Sequence, residues 1–459
     1  MTKISMSQAV EQALEMLGKD GGVVAAETSS TRNLRWANSA LTTNGDAQEN
    51  TLSISAFVPA GDGVANGIAS GQIRDADDIA HLVSMAKASA IAGGAAQDAM
   101  PLAQGPTHSN FHDQADIGDT NGLRHIGEQL SSVLKSDKAE HFGYAEETLD
   151  TSYVGTSSGT RMRFVQSSAR FELCAKSSAR DKSAWSGQGG NSLLDVDVNS
   201  HATAVWRGIE HQSNRLDLEP GQHKVTLTPS AFADLMIYLL WTASAREAHE
   251  GRSVFSNPLG GTRIGESLTA RKLTVASDPH AQGLLSADHV IQIGSSSMSS
   301  SFDTGLPIGR AEVISQGKLN ALASSRHAAH ESQLPFTPLA DNIIVTDDDA
   351  HGDLDAVASR MGNGLLITCL WYIREVDPQS LLLTGLTRDG VYVVRNGEII
   401  GSANNFRFNE SPVGMLSRIS DAGLSVPCLP REWADYFPRA QVCPVTIEGF
   451  NLSTRSDAI

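Results

Sequence analysis

The chain has 459 residues, of which 40% are hydrophobic, 19% are charged and only 5% are aromatic. This length exceeds what one ordinary core supports, so we expect two domains or three. The formal charge of −17 comes from 52 acidic and 35 basic residues. A chain this acidic repels a phosphate backbone, so the composition indicates a soluble globular protein and argues against a dominant role in binding nucleic acid.

Helices and strands alternate in the first half. Helical spacing of apolar residues predicts three helices, over 5–17, 77–92 and 121–134. Strand-like segments at 32–41 and 51–58 are predicted to be joined through Thr43-Asn44-Gly45-Asp46. Residues 93–120 lack periodicity and predict a long loop, whereas 144–198 have the pattern of strands separated by Ser/Thr/Gly turns.

The best candidate for a domain boundary is Asp217-Leu218-Glu219-Pro220-Gly221, since Pro-Gly interrupts regular structure. After it, Thr228-Pro229 has the pattern of an N-cap followed by proline at the first helical position, and predicts a helix to about Glu247. The rest of the second half has mostly strand patterns. We therefore predict an α+β fold with an N-terminal mixed α/β domain over 1–218 and a β-rich C-terminal domain over 219–459.

A β-hairpin is predicted at 383–400, where Asn396-Gly397 separates two apolar runs. Asn and Gly supply the two positive-φ residues of a type I′ turn. The segment contains neither a metal ligand set nor a nucleophile–base pair, so we expect it to form wall or edge strands of the C-terminal domain.

Two glycine-rich motifs have structural interpretations. Gly155-Thr156-Ser157-Ser158-Gly159 matches the G-x-S-x-G elbow of serine hydrolases, but a strand-like segment follows where the elbow requires a helix, so a hairpin turn is the better interpretation. Gly260-Gly261-Thr262-Arg263-Ile264-Gly265 lacks the Gly-Lys-Ser/Thr ending of a phosphate-binding loop. Positive-φ glycines that shape a loop explain this second motif.

His249-Glu250 is the candidate for a catalytic pair. Helical zinc peptidases use such a pair as one ligand and one base, with a second histidine nearby. That histidine would stand at position 253 or 254, where the chain has Ser253 and Val254. With one imidazole and no second ligand, no metal-binding residue is assigned, and a surface helix end is the plainer interpretation.

Two further sets of possible metal ligands have plainer interpretations as well. His327 and His330 are one helical turn apart, but no Cys or carboxylate cluster is tied to them, which favours solvated or interface histidines. Cys428 and Cys443 each adjoin a proline, and ordinary buried thiols are the commoner outcome.

The expected compartment follows from the cysteines and the N-terminus. There are four cysteines: Cys174, Cys369, Cys428 and Cys443. They form neither a CxxC pair nor a disulfide framework, which suits a reducing cytosol. Residues 1–6 lead into an amphipathic stretch rather than a signal peptide. The longest apolar run, 235–241, is far shorter than the roughly 20 residues of a membrane span, so we expect a cytoplasmic protein.

Short motifs along the whole chain carry a family resemblance. They are Arg35-Trp36-Ala37-Asn38, Leu218-Glu219-Pro220-Gly221, Gly251-Arg252-Ser253-Val254-Phe255, Phe302-Asp303, Asn405-Phe406-Arg407-Phe408-Asn409 and Phe450-Asn451-Leu452-Ser453-Thr454. In this order and spacing they resemble the TldD/PmbA family, whose members were named as modulators of DNA gyrase and are regarded as metallopeptidase subunits.

The resemblance implies a branch within that family. The TldD branch carries a His-Glu-x-x-x-His signature and a later cysteine, which together bind the metal, and the TldE branch, also called PmbA, lacks that set. Val254 stands where the second histidine would be, so the chain resembles the TldE/PmbA branch. The family also implies two domains, a β-rich C-terminal half, and a dimer enclosing a chamber where unfolded peptides are cleaved.

The leading hypothesis is a TldE/PmbA-like subunit of a cytosolic TldD–TldE metallopeptidase that cleaves unfolded or short peptides. No cofactor is assigned to this chain, and zinc is expected in the TldD-like partner; neither nucleic acid nor a membrane is an expected partner. Two alternatives stay open. One is a metal-free homodimeric peptide-binding or scaffold protein, and the other is a peptidase with a divergent metal site that uses His249 and Glu250.

Overall fold

The computed structural model describes residues 4–456, apart from the side chain of Asp20. The fold is α+β, with 23% helix, 41% strand and a β-rich C-terminal region, which confirms the predicted fold class. The α-helices are α1 (Met6–Leu17), α2 (Ala76–Gly93), α3 (Asn121–Val133), α4 (Val198–His211), α5 (Pro229–Thr242), α6 (Ala245–His249), α7 (Arg326–Ser332), α8 (Leu354–Met361) and α9 (Pro412–Leu416).

The first sheet is built from long antiparallel strands. They are β1 (Gly22–Ala37), β2 (Ala40–Ala60), β3 (Gly63–Gln72), β4 (Glu140–Thr156), β5 (Arg161–Lys176) and β6 (Ser183–Gly190). Their spatial order is β3-β2-β1-β4-β5-β6. Helices α1 and α2 pack on β1–β3, and α3 and α4 pack on β4 and β5, so that apolar residues of strands and helices share two cores.

The remaining strands form two further sheets. They are β7 (Arg215–Leu216), β8 (Gly221–Leu227), β9 (Leu273–Ser277), β10 (Ala311–Ser315), β11 (Lys318–Leu319), β12 (Ile343–Asp347), β13 (Gly364–Asp377), β14 (Leu382–Arg395), β15 (Glu398–Ala403), β16 (Asn405–Glu410), β17 (Ile419–Ala422), β18 (Val426–Cys428), β19 (Ala440–Val442) and β20 (Val445–Ser456). One sheet has the order β11-β10-β9-β12-β19-β18. In the other, β13-β8-β20-β16-β14 close into a barrel through the pairing of β13 with β14, and β15 and β7 extend it.

Helix α5 lies in the core shared by the barrel and the second sheet. It begins as predicted: the hydroxyl of Thr228 accepts a hydrogen bond from the N–H of Ala231, and proline occupies the first helical position. It ends at Thr242, so the predicted extension to Glu247 is wrong. The helix is interrupted there because the backbone of Ala323 takes over its hydrogen bonds. The Ala323 carbonyl accepts from the N–H of Ala245 at 2.9 Å, and the Ala323 N–H donates to the carbonyl of Ala243 at 2.7 Å.

The two hairpins predicted from Asn-Gly pairs have different outcomes. The C-terminal hairpin is confirmed, since Asn396 and Gly397 have φ of 52° and 83° between β14 and β15. In the first hairpin the turn lies instead at Asn38-Ser39, with φ of 49° and 57°. The predicted turn at 43–46 is wrong because those residues continue β2 and pair with β1, where Gly45 lies opposite Asn33.

Most other predicted elements are confirmed. Helices α1–α3 occupy the predicted segments, 94–120 contain no helix or regular strand, and the motif at 155–159 is the hairpin turn between β4 and β5. The loop at 260–265 is shaped by positive-φ glycines, as predicted. Helix α4 was not predicted. The domain boundary near 218 stays a prediction. No helix within residues 4–456 is long and apolar enough to cross a membrane.

The long loop before α3 packs against the second half of the chain. Phe57 of β2 stacks on Phe302 with ring centroids 4.5 Å apart. Ala103 donates its N–H to the carbonyl of Phe302 at 2.9 Å, and Gly105 and Gly305 approach so closely that a Cβ on Gly105 would lie 2.6 Å from Gly305. This contact is therefore a close-packed joint between the first sheet and the C-terminal half.

We expect Phe302→Ala to weaken this joint. The Phe302 side chain is 2% exposed, and truncating a buried phenylalanine costs about 3–5 kcal/mol because it leaves a cavity. Thermal unfolding should show a clearly lower Tm. Leu259→Ala is the control, since Leu259 is 97% exposed and its truncation should leave Tm unchanged. Equal Tm values for the two variants would contradict the packing role of Phe302.

Candidate functional site

His249 and Glu250 lie at the exposed end of α6. The Glu250 carboxylate accepts hydrogen bonds from Arg246 Nε at 3.0 Å and from Arg252 Nε at 2.9 Å. Hydrogen bonding from Arg246, and then from Arg252, lowers the pKa of Glu250. A general base works best with a pKa near the operating pH. The two guanidinium groups instead move the pKa of Glu250 further below that pH. A catalytic role for the pair stays a prediction.

The other possible metal ligands are also dispersed. His327 and His330 lie on the short helix α7, and His330 is exposed beside Glu331. Cys428 and Cys443 are free, buried thiols, as expected, and burial raises the pKa of both, that of Cys443 to about 12. Within residues 4–456 no group of three His, Cys, Asp or Glu side chains is arranged to hold a metal ion.

Five aromatic side chains meet at the C-terminal end of α5 and form a candidate binding surface. We call this set the aromatic cluster; its members are Tyr238, Trp241, Trp433, Tyr436 and Phe437. The Trp433 ring centroid lies 4.6 Å from Trp241 and 5.4 Å from Tyr238, and Phe437 lies 5.9 Å from Trp241. Trp241 is 37% exposed and Tyr436 is 66% exposed, so the cluster presents aromatic surface to solvent.

Local structure explains how these rings meet. Tyr238 and Trp241 are three residues apart on α5 and therefore share one side of the helix. Trp433 lies in a turn closed by its own carbonyl, which accepts from the N–H groups of Tyr436 and Phe437. The Trp433 Nε1 donor is buried and has no acceptor among residues 4–456. The cluster therefore combines exposed aromatic faces with one enclosed, unpaired donor.

Glu432 connects this cluster to strand β13. Its side chain is 8% exposed and accepts from the N–H groups of Tyr372 at 2.8 Å and Ile373 at 3.1 Å. Arg374 Nη1 lies 3.2 Å from the same carboxylate. Tyr372 has φ of 55°, at an irregularity in the pairing of β13 with β14. Glu432 therefore stabilises a bulge that a regular strand would not form.

Asp234 is a buried carboxyl beneath the same surface. It is fully buried in α5, and its Oδ1 accepts from the N–H of Glu432 at 3.1 Å. Its Oδ2 has no hydrogen-bond partner among the described residues. Burial, with the neighbouring charge of Glu432, raises the pKa of Asp234 well above its usual range. The group therefore favours the neutral form.

Neither feature was predicted from the sequence, although each left a signal. Asp234 is the lone charged residue of α5, and an acid inside a helix that is apolar on all sides must be buried. Trp433, Tyr436 and Phe437 fall within five residues of a chain that is only 5% aromatic. The sequence does not show that the turn at 433–437 packs against the end of α5.

A family model and several solved structures match this chain. A family model described as the PmbA/TldA metallopeptidase C-terminal domain matches residues 220–453, just over half of the chain. No curated protein sequence gives a significant match.

Solved structures share the fold over nearly the whole chain. A proposed modulator of a DNA gyrase from Thermotoga maritima has a TM-score of 0.75 at 14% identity, covering 98% of this chain and 100% of its own. A proposed modulator of DNA gyrase from Bacteroides thetaiotaomicron has a TM-score of 0.75 at 12% identity, covering 97% of this chain and 98% of its own. TldE from Thermococcus kodakarensis has a TM-score of 0.74 at 13% identity, covering 96% of this chain and 99% of its own. At these identities the likeness establishes the fold.

We expect Asp234→Asn to stabilise the protein increasingly as pH rises. A free aspartate titrates near pH 3.9, and the raised pKa means that the folded state holds the proton more tightly. The stability from this proton is fully present below the unfolded pKa and is lost as pH rises through the folded pKa. An amide has no charged form, so the variant should gain at least about 2 °C in Tm over the native chain at pH 8.

The measurement is thermal unfolding at about pH 5 and about pH 8, both above the unfolded pKa of about 3.9, so that the penalty for ionising Asp234 grows between them. Asp62→Asn is the control, since Asp62 lies in an exposed turn. A difference between Asp234→Asn and the native chain that stays constant or shrinks toward pH 8 would refute the assignment.

Proposed function

The chain belongs to the PmbA/TldD metallopeptidase family, and on that premise we propose that it is the TldE/PmbA-like subunit of a cytosolic TldD–TldE-type metallopeptidase. The TldD-like partner would hold the zinc and supply the catalytic base. This chain would form part of the chamber wall, restrict access to unfolded or short peptides, and stabilise the partner.

The observation that carries the proposal is the state of Glu250. A zinc-peptidase glutamate must approach a metal-bound water as a base. Here both carboxylate oxygens are engaged by Arg246 and Arg252 at the surface. His249 beside it is exposed at the end of a five-residue helix. This arrangement supports a structural role for the pair and a partner that supplies the catalytic groups.

Two surface features support contact with peptides. The aromatic cluster offers the exposed rings of Trp241 and Tyr436, which suit an apolar side chain of a peptide. Beside it, residues 374–377 of β13 pair only with β14 among the described strands. A free strand edge can bind an extended peptide through backbone hydrogen bonds, with little demand on sequence.

The direct test is reconstitution with a TldD-like chain that carries His-Glu-x-x-x-His. We expect no zinc and no hydrolysis of an unfolded peptide with this chain alone, and both with the complex. His249→Ala and Glu250→Gln in this chain should leave the activity of the complex unchanged. The matching glutamate-to-glutamine change in the partner should abolish it. Stoichiometric zinc and peptidase activity in this chain alone, removed by Glu250→Gln, would show a divergent peptidase instead.

A second test concerns the aromatic cluster. Trp241→Ala removes exposed aromatic surface and should raise the KM of the complex for peptides with apolar side chains roughly tenfold. Zinc content and complex formation should not change, because Trp241 is 37% exposed and lies outside the buried core that encloses α5. Leu259→Ala is the control. An unchanged KM for Trp241→Ala would show that the aromatic cluster does not contact the peptide.

A further inference from the structure

A cavity of about 310 Å³ lies between the first sheet and the barrel, around the N-terminal end of α5. It is separate from the aromatic cluster, none of whose residues lines it. Its walls come from β6, α4, the start of α5, α8, and strands β13, β14, β15 and β18. This volume lies at the lower end of the range of small-ligand sites, which runs from about 300 to 1,000 Å³.

The N-terminus of α5 opens into this cavity with an unused hydroxyl. Thr228 and Ser230 both line it, and Thr228 caps the helix by accepting from the N–H of Ala231. Ser230 is only 9% exposed, and its hydroxyl has no hydrogen-bond partner among residues 4–456. The aligned dipoles of a 14-residue helix place partial positive charge at this point. The Ser230 hydroxyl is open to the cavity, so a molecule bound there can supply its missing hydrogen-bond partner.

Two histidines of α4, His201 and His211, also line the cavity. His201 Nδ1 lies 2.8 Å from the hydroxyl of Ser186, and burial lowers the pKa of His201 to about 4. Burial, and then Arg207, lower the pKa of His211. The second ring nitrogen of His201 and both nitrogens of His211 have no hydrogen-bond partner among the described residues. These ring nitrogens add further polar atoms to the cavity wall.

The charges and apolar walls limit the ligand class. Arg207 is paired with Asp355 at 3.1 Å, and these are the charged side chains that line the cavity. A dianion would find too little positive charge, whereas one carboxylate suits a helix N-terminus with a hydroxyl donor. Leu366, Ile399 and Val426 line the rest. We propose that this cavity binds a small monocarboxylate with an apolar body, its carboxylate on Ser230 and the start of α5.

The test uses the intact chain alone, so its failure would leave the proposed subunit role untouched. N-acetyl-leucine is the probe, N-acetyl-leucinamide is its neutral counterpart, and inorganic phosphate tests for general anion binding. Isothermal titration gives the affinity, and histidine ring NMR signals report on His201 and His211. We expect the acid to bind at millimolar concentrations and to shift both histidines, and the amide and phosphate to bind much more weakly.

Two variants locate the site. Ser230→Ala removes one donor to the carboxylate and should weaken N-acetyl-leucine binding about tenfold. Ser84→Ala, at an exposed position of α2, should leave the affinity unchanged. Equal binding of acid and amide would overturn the carboxylate assignment. Equal binding of phosphate, unchanged affinity in Ser230→Ala, or no binding at all would overturn the site itself.

Discussion

The burial of helix α5 is the constraint on which the C-terminal half depends. Its surface is apolar on nearly every side, and a helix of this kind is stable in water only when other elements enclose it. The barrel and the second sheet supply that enclosure and share one continuous core with the helix. Because no polar face is available, α5 cannot shift or rotate toward solvent without exposing a large apolar area.

This constraint also places the surfaces to which function is assigned. The N-terminal end of α5 meets the cavity beneath α4, and its C-terminal end carries Tyr238 and Trp241 into the aromatic cluster. Asp234 lies between them, fully buried, and accepts a hydrogen bond from the backbone N–H of Glu432. Since Glu432 in turn holds the bulge of β13, one buried helix positions the aromatic cluster, the strand edge and the cavity.

Local sequence signals predicted the elements whose stability is mainly local. The apolar spacing of 5–17 predicted α1, Thr228-Pro229 predicted the start of α5, and Asn396-Gly397 predicted the turn of its hairpin. The same rule failed at Asn44-Gly45. There the long register of β1 with β2 decided the conformation, because pairing along the whole strand outweighs the turn preference of one dipeptide.

The sequence by itself determined the class of the fold, most of its helices and hairpins, and the family, because each depends on local periodicity, turn chemistry or motif order. Tertiary structure alone decided where α5 ends, since the backbone of Ala323 takes over the hydrogen bonds of Ala243 and Ala245. It also decided that Trp433 meets Trp241 and that Ser230 opens into a cavity. These contacts join residues far apart in the chain, and no local pattern records which distant side chain will be the neighbour.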